Sequence, residues 1–335
     1  MPFNGLRARL SERFSLRKGG ESSAAAFWVM VRKEFGDHVR SWRFVILMGI
    51  ILLACIGSVY SAVTALRSGA NEDTSMAFLQ IFTLSDGTLP NFIAFVTFLG
   101  PLMGIALGFD AVNAERSRGT LSRLISQPIY RDDLLKAKFV STLLVITVAI
   151  FALGLLVMGL GLIVIGYPPT PEQFLRVLLF LITSVVYIGF WLNLSILFSV
   201  RFRQATTSAL AGLAIWIFFT VFYGMLLNLV AKGAAPSENA GAEAVMRYQE
   251  LILSLNRLSP SELFNEANTT LLMPSVRSLG PLTMEQVVGA LPSPLPLGQS
   301  LLLVWPQLTG MLSATMICFG LSYLLFMRQE IRSRS

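Results

Sequence analysis

Six long stretches of this sequence contain no Asp, Glu, Lys, Arg or His and are almost wholly apolar. A helix rises about 1.5 Å per residue, so roughly 17 to 25 apolar residues cross the ~30 Å hydrocarbon core of a bilayer. The strands of a membrane β-barrel would instead be about 10 residues long and would alternate apolar with polar side chains. The sequence therefore predicts an all-α integral membrane protein with six transmembrane helices, at residues 44–66, 92–109, 139–167, 177–200, 205–231 and 301–327.

The composition excludes several other classes of protein. Charged residues make up 13% of the chain and hydrophobic residues 54%, whereas a soluble domain carries about 25% charge. Two Cys residues are too few for a disulfide scaffold or a Cys-rich zinc module. The sequence contains no basic module with interleaved aromatic residues, so nothing in it indicates a nucleic-acid partner.

The basic residues are concentrated on alternate loops, which predicts the orientation. Segments 1–43, 110–138, 201–204 and 328–335 hold 20 of the 26 Lys and Arg residues. Because cytoplasmic loops carry an excess of positive charge, both termini are expected in the cytoplasm. Residues 1–23 then form a flexible basic N-terminus that touches lipid headgroups, and 328–335 a basic cytoplasmic tail.

Two segments outside the spans are predicted to be helical. Between residues 24 and 43 apolar side chains recur at helical spacing among basic ones, which is typical of an amphipathic helix at the membrane interface. His38 lies beside this apolar stripe and is interpreted as an interfacial polar residue. The segment 232–300, outside the cell, is expected to contain one helix near 240–258 and a second that starts at Ser259 or Ser261.

The chain has no visible energy source or catalytic group of its own. It lacks the Gly-rich loop that cradles phosphates, and its spans lack the ionisable residues with which proton and sodium carriers form an ion path. No carboxylate pair, Ser–His pair or metal-ligand cluster appears in the spans. We therefore expect no enzyme activity and no cofactor in this chain, and we disfavour an ion-coupled carrier.

Some small and polar residues within the spans are candidates for packing or for a path. Gly100, Gly104 and Gly108 form one small face of span two, which predicts close packing with another helix of this chain or of a second copy. Possible path-lining residues are Asn193, Thr206, Asn228 and Gln307. The alternative is that these four form hydrogen bonds between helices, worth about 1 kcal/mol or less each.

The segment 110–138 between spans two and three is the most informative part of the sequence. A charged helix continues span two, Gly119 offers a helix stop, and Asp132 and Asp133 fall in the first turn of the next helix. One interpretation is a basic loop that only fixes topology. The other is a rigid cytoplasmic knob that presents charges to a partner protein.

At these residues the sequence resembles the permease subunits of type 2 ATP-binding cassette (ABC) exporters. After its second span that family shows an Asp, a Glu about five residues later, a Gly-Thr-Leu, a Ser-x-Pro and an Arg before a Lys. The matching residues here are Asp110, Glu115, Gly119-Thr120-Leu121, Ser126-Gln127-Pro128, Arg131 and Lys138. The amphipathic segment 24–43 is similar to the family's elbow helix. The outer segment, with Leu258 to Phe264, looks like permeases of the nitrous-oxide reductase maturation and gliding-motility type.

The resemblance implies a function. A coupling helix within 110–138 would dock on a separate ABC ATPase subunit that binds ATP and Mg, and two permeases, identical or related, would form the path through a bacterial inner membrane. The expected docking residues are Asp110, Glu115, Arg116, Arg118, Gly119, Thr120, Leu121, Arg123, Leu124, Ser126, Pro128, Arg131 and Lys138. We expect export, with the substrate open. The alternative is an ATPase-driven scaffold or mechanotransmission protein that acts on an extracytoplasmic protein through 232–300.

Overall fold

The computed structural model describes residues 25–68, 77–119, 131–236, 241–273 and 295–328, and within these ranges it contains helices and no strand. Helix α1 comprises residues 25–39. The others are α2 (Trp42–Arg67), α3 (Ala77–Thr83), α4 (Phe92–Gly108), α5 (Asn113–Ser117), α6 (Arg131–Ile165), α7 (Pro171–Arg201), α8 (Ala205–Ile217), α9 (Tyr223–Ala234), α10 (Ala242–Asn256), α11 (Pro260–Leu272) and α12 (Leu297–Arg328). A π-helical turn, Phe218–Phe222, joins α8 to α9.

Six helical segments of the described residues are long and apolar enough to cross a membrane. They are Trp42–Arg67, Phe92–Ser117, Asp132–Ile165, Pro171–Arg201, Ala205–Ala234 and Leu297–Arg328. The predicted all-helical fold with six spans is therefore confirmed.

The helices extend beyond the uncharged runs of the sequence. Span three begins near Asp132, because carboxylates suit the positive end of the helix dipole and Lys136 pairs with Asp132 one turn on. Span four begins at Pro171 and is capped by two reciprocal hydrogen bonds. The Thr170 side chain accepts one from the backbone nitrogen of Gln173, and the Gln173 side chain accepts one from the backbone nitrogen of Thr170. An uncharged run thus marks the apolar centre of a helix and not its ends.

Helix α7 is the central helix of the bundle. In the most apolar stretch of α7, 67% of the residues are buried within the chain, whereas in the corresponding stretch of span five only 6% are buried. The small face of α4 packs directly on it, since a Cβ added at Gly104 would lie 2.8 Å from the Ile188 carbonyl oxygen and 2.9 Å from the Leu192 nitrogen. The Gly100, Gly104 and Gly108 face therefore meets a helix of its own chain.

The two ends of the bundle carry different elements. At the end that we call the α1 end, α1 and α5 lie beside the end of α4, the start of α6 and the end of α7. At the opposite α11 end, helix α11 packs among α4, α7 and α12. There Phe264 stacks on Tyr187 with ring centroids 4.4 Å apart.

The two helices predicted within 232–300 both form, as α10 and α11, and Pro260 occupies the first turn of α11. They differ in burial. Helix α11 buries most of one face in the bundle, whereas α10 exposes Val245, Met246 and Leu251. The segment 274–294, which leads towards α12, lies outside the described residues.

Candidate functional site

A buried lysine connects three elements at the α1 end. Lys138, in the second turn of α6, is 5% exposed, and its Nζ lies 3.1 Å from Glu34 Oε2 of α1. The same Nζ lies 3.6 Å from Glu115 Oε1 of α5. A buried ammonium needs charged partners to offset its lost hydration, and here two carboxylates supply them. Glu34, Glu115 and Lys138 are called the Lys138 cluster below.

Two further contacts surround the Lys138 cluster. His38 Nε2 lies 3.0 Å from Thr142 Oγ1, which is a second link between α1 and α6. The Arg43 guanidinium donates to Asp110 Oδ2 at 2.5 Å and lies over the Phe109 ring. The first Asp of the sequence motif thus pairs with the start of span one.

The start of α5 is held to the central helix. The hydroxyl oxygen of Ser199, near the end of α7, accepts hydrogen bonds from the backbone nitrogens of Val112 at 3.0 Å and Asn113 at 3.2 Å. The first backbone N–H groups of a helix have no acceptor within the helix, and Ser199 supplies one for these two. Helix α5 is therefore fastened on one side to α7 and on the other to α6.

An open cavity of about 370 Å³ lies between α1 and α5, with charges of both signs around it. Its lining includes Asp37, Arg43, Asp110, Arg118 and the Lys138 cluster. Burial raises the pKa of Glu34, but the Lys138 ammonium outweighs this and leaves that pKa below its ordinary value. Burial also lowers the pKa of His38. Among the groups that line this cavity, Glu34 is thus an ionised carboxylate and His38 a neutral imidazole at neutral pH.

The remaining motif residues are placed only in part. Arg118 is exposed, and Gly119 has φ of +67°, a left-handed conformation that favours glycine after a helix end. Arg116, in the last turn of α5, is half-buried. Thr120, Leu121, Arg123, Leu124, Ser126 and Pro128 lie outside the described residues, and Arg131 is placed by its backbone alone. The assignment of these residues to docking stays a prediction.

The four possible path residues lie in different surroundings. Asn193 and Gln307 are buried, and Gln307 Nε2 donates to Glu266 Oε2 of α11 at 3.0 Å. Thr206 and Asn228 lie on exposed parts of span five, where Asn228 donates to the Gly224 carbonyl of its own helix. The amide of Gln307 therefore contacts α11, that of Asn228 contacts its own helix, and that of Asn193 contacts α12.

Asn193 also lines an apolar groove of about 500 Å³ between α6, α7 and α12. Its Nδ2 donates to the Thr315 carbonyl at 3.4 Å, which leaves Oδ1 without a donor among the described residues. Apart from Lys136 at one edge, Asn193 and Thr315, the lining is apolar, for example Phe139, Leu143 and Met316.

Several structurally important residues were missed in the sequence. Arg176 of α7 is fully buried and donates to the Leu271 carbonyl at 2.9 Å, to Ser300 Oγ at 3.2 Å and to Glu172 at 2.8 Å. Glu34 falls within the predicted amphipathic segment 24–43, but its pairing with Lys138 was not predicted. The sole signal for Arg176 is the Glu172 four residues earlier on the same helix face.

Within the described ranges, no group of three or more His, Cys, Asp or Glu side chains could hold a metal ion. What the α1 end offers is a set of ion pairs that connects separate helices, next to an exposed arginine and an open cavity. That arrangement links α1, α5 and α6 mechanically.

Comparison with known proteins identifies the family. The pattern of the family described as "ABC-2 family transporter protein" matches residues 28–331. The probable ABC transporter permease protein NosY of Pseudomonas aeruginosa is 27% identical over 206 residues, which cover 60% of this chain and 69% of that protein. The protein of the same name from Stutzerimonas stutzeri is 27% identical over 202 residues, with coverage of 60% and 68%. The chain therefore belongs to the ABC-2 transporter family, as the membrane-spanning permease subunit and not the catalytic ATPase.

Proposed function

We propose that this permease forms half of an export path and is driven by a separate ABC ATPase subunit that docks on segment 110–138. The observation that supports this best is the Lys138 cluster, which ties the start of that segment to α1 and to span three. A force applied to the segment would therefore reach helices that cross the membrane. ATP and Mg would be bound by the ATPase.

The proposal includes an orientation and an assembly. The α1 end faces the cytoplasm, both termini lie there, and the membrane is the inner membrane of a bacterium, in agreement with the excess of Lys and Arg in the segments at that end. A second permease, identical or related, completes the path. Membrane lipids cover the remaining apolar surface.

Docking can be tested at Arg118, which is exposed, together with Arg123 of the same segment. Arg118→Glu combined with Arg123→Glu should abolish co-purification of the ATPase, because it reverses charges that would pair across the interface. Arg247→Glu is the matched control, since Arg247 is exposed on α10 at the far end and pairs only with Glu243 four residues away among the described residues. Normal co-purification of the double variant, with full permease-dependent ATP hydrolysis, would contradict docking on this segment.

A second candidate function is an ATPase-driven scaffold that acts on an extracytoplasmic protein through 232–300. The observation that favours it is that α10 exposes three apolar side chains, Val245, Met246 and Leu251. A deletion that tests it must be confined to Ala242–Asn256, because α11 belongs to the core of the bundle. Intact ATPase coupling with loss of an extracytoplasmic partner would support the scaffold. Unchanged partner binding would exclude a role for α10.

A further inference from the structure

Lys138 has a different environment from the other lysine at the start of span three. Lys136, two residues earlier, keeps 43% of its side chain exposed and pairs with Asp132 and Asp133 of its own helix. Lys138 is buried and pairs with carboxylates of two other elements. A lysine that only fixed topology would work as well in the exposed position. The burial of Lys138 therefore calls for another explanation.

The ion pairs also restrict how the neighbouring helices can separate. If α1 moved away from α6, the buried ammonium would lose Glu34, and if α5 moved away it would lose Glu115. Leaving a buried charge with an incomplete set of partners is strongly unfavourable. The contact of His38 with Thr142 acts in the same direction between α1 and α6. These contacts hold α1, α5 and the first turns of α6 together.

We propose that Lys138 is a positioning residue that makes α1, α5 and the first turns of span three move as one body when the ATPase acts. The inference rests on the proposed function, since it names how movement of the docking segment reaches the membrane. Coupling between sites needs a contiguous physical connection, and the Lys138 cluster provides one between a docked segment and a span. In this proposal Lys138 acts through Glu34 and Glu115 and not as a docking contact, because its side chain is buried.

The test compares hydrogen exchange in two nucleotide states of the reconstituted permease–ATPase complex. Backbone exchange is measured for α1, for α5 and for residues 131–139, first without nucleotide and then after trapping with ADP and vanadate. In the wild type, trapping should change exchange in all three elements. In Lys138→Met the ATPase should still co-purify and the change in α5 should persist, while the change in α1 and in 131–139 is lost. The matched control, Lys136→Met, should keep all three changes.

A purely structural role would give a different result. It would raise exchange of α1 equally in both nucleotide states and leave the nucleotide-dependent difference intact, and that outcome overturns the proposal. If Lys138→Met does not fold, Glu34→Gln decides, because it should lose the response in α1 alone. The proposal is also overturned if α1 of the Glu34→Gln complex shows the same nucleotide-dependent change in exchange as α1 of the Lys136→Met control. A wild-type complex without any response in α5 would instead refute docking on 110–138, and the inference with it.

Discussion

At the scale of single residues, His38 gives the contact between α1 and α6 a pH dependence. Burial lowers its pKa below the ordinary value of 6.5, with Lys138 acting in the same direction and Glu34, Asp37 and Asp110 against it. The folded state therefore binds the proton more weakly than the unfolded state, so the stability contributed by neutral His38 is present above about pH 6.5 and is lost as the pH falls through the folded pKa. The pKa of Glu34 is also lowered, so its contribution persists to more acidic pH.

We expect α1 to exchange its amide hydrogens faster at pH 5.5 than at pH 7.5, after correction for the intrinsic rates. His38→Gln should remove most of this difference, because glutamine can still bond to Thr142 but does not titrate. Hydrogen exchange of the purified permease at the two pH values is the measurement. An equal difference in His38→Gln would assign the effect to another group.

Gly104 is the residue at which close helix packing can be tested most sharply. In Gly104→Ala the new Cβ would meet backbone atoms of α7, the Ile188 oxygen and the Leu192 nitrogen, neither of which can rotate away. Overpacking of this kind costs about 1–3 kcal/mol, so the melting temperature in detergent should fall. Gly49→Ala in span one is the matched control, because no atom lies within 4 Å of its added Cβ. Equal melting temperatures for the two variants would show that α4 and α7 separate readily.

At the scale of elements, Arg176 holds α11 and the start of α12 to α7. Its guanidinium reaches the last turn of α11 at the Leu271 carbonyl, the Leu295 carbonyl and Ser300. Arg176→Met would leave these acceptors unpaired and buried, and removal of one partner from a buried ionic network costs about 3–5 kcal/mol. We expect faster hydrogen exchange in α11 and a lower melting temperature. Arg247→Met, at an exposed i,i+4 pair on α10, should change neither. Protection of α11 as in the wild type would contradict this role of Arg176.

The elements themselves could largely be predicted from the sequence, and their partners could not. The length and the absence of charge in each run were enough for six spans, and Pro260 marked the first turn of α11. Whether the face of Gly100, Gly104 and Gly108 met its own chain remained open, because a small face has no preference for a particular neighbour. The pair of Glu34 with Lys138 joins residues 104 positions apart. Spacing along the chain carries no signal for such a contact, since it arises only when the helices pack.

At the scale of the whole molecule, span five stands apart from the rest. Span four packs closely with spans two and six, and α11 contacts all three of them, while α8, the π-helical turn and α9 bury few side chains in this chain. The apolar surface continues into α10, where Met246 and Leu251 are exposed. Helices in a bilayer associate through van der Waals contact and shape, so a long span with so little packing of its own has the free surface that a second permease needs.

Span five should therefore lie against a second copy in the assembled transporter. With Cys55 and Cys318 replaced by Ser, Met225→Cys should give cross-linked dimers when membranes are treated with a short bifunctional maleimide, because Met225 is exposed on α9. Ile163→Cys, near the end of α6 and no less accessible than Met225, is the matched control and should remain monomeric, since span three packs on more of its own chain. The measurement is the dimer fraction on a denaturing gel, at low expression to limit chance collisions. A dimer fraction for Met225→Cys that is no higher than the low fraction of the control would mean that lipid and not a second permease covers span five.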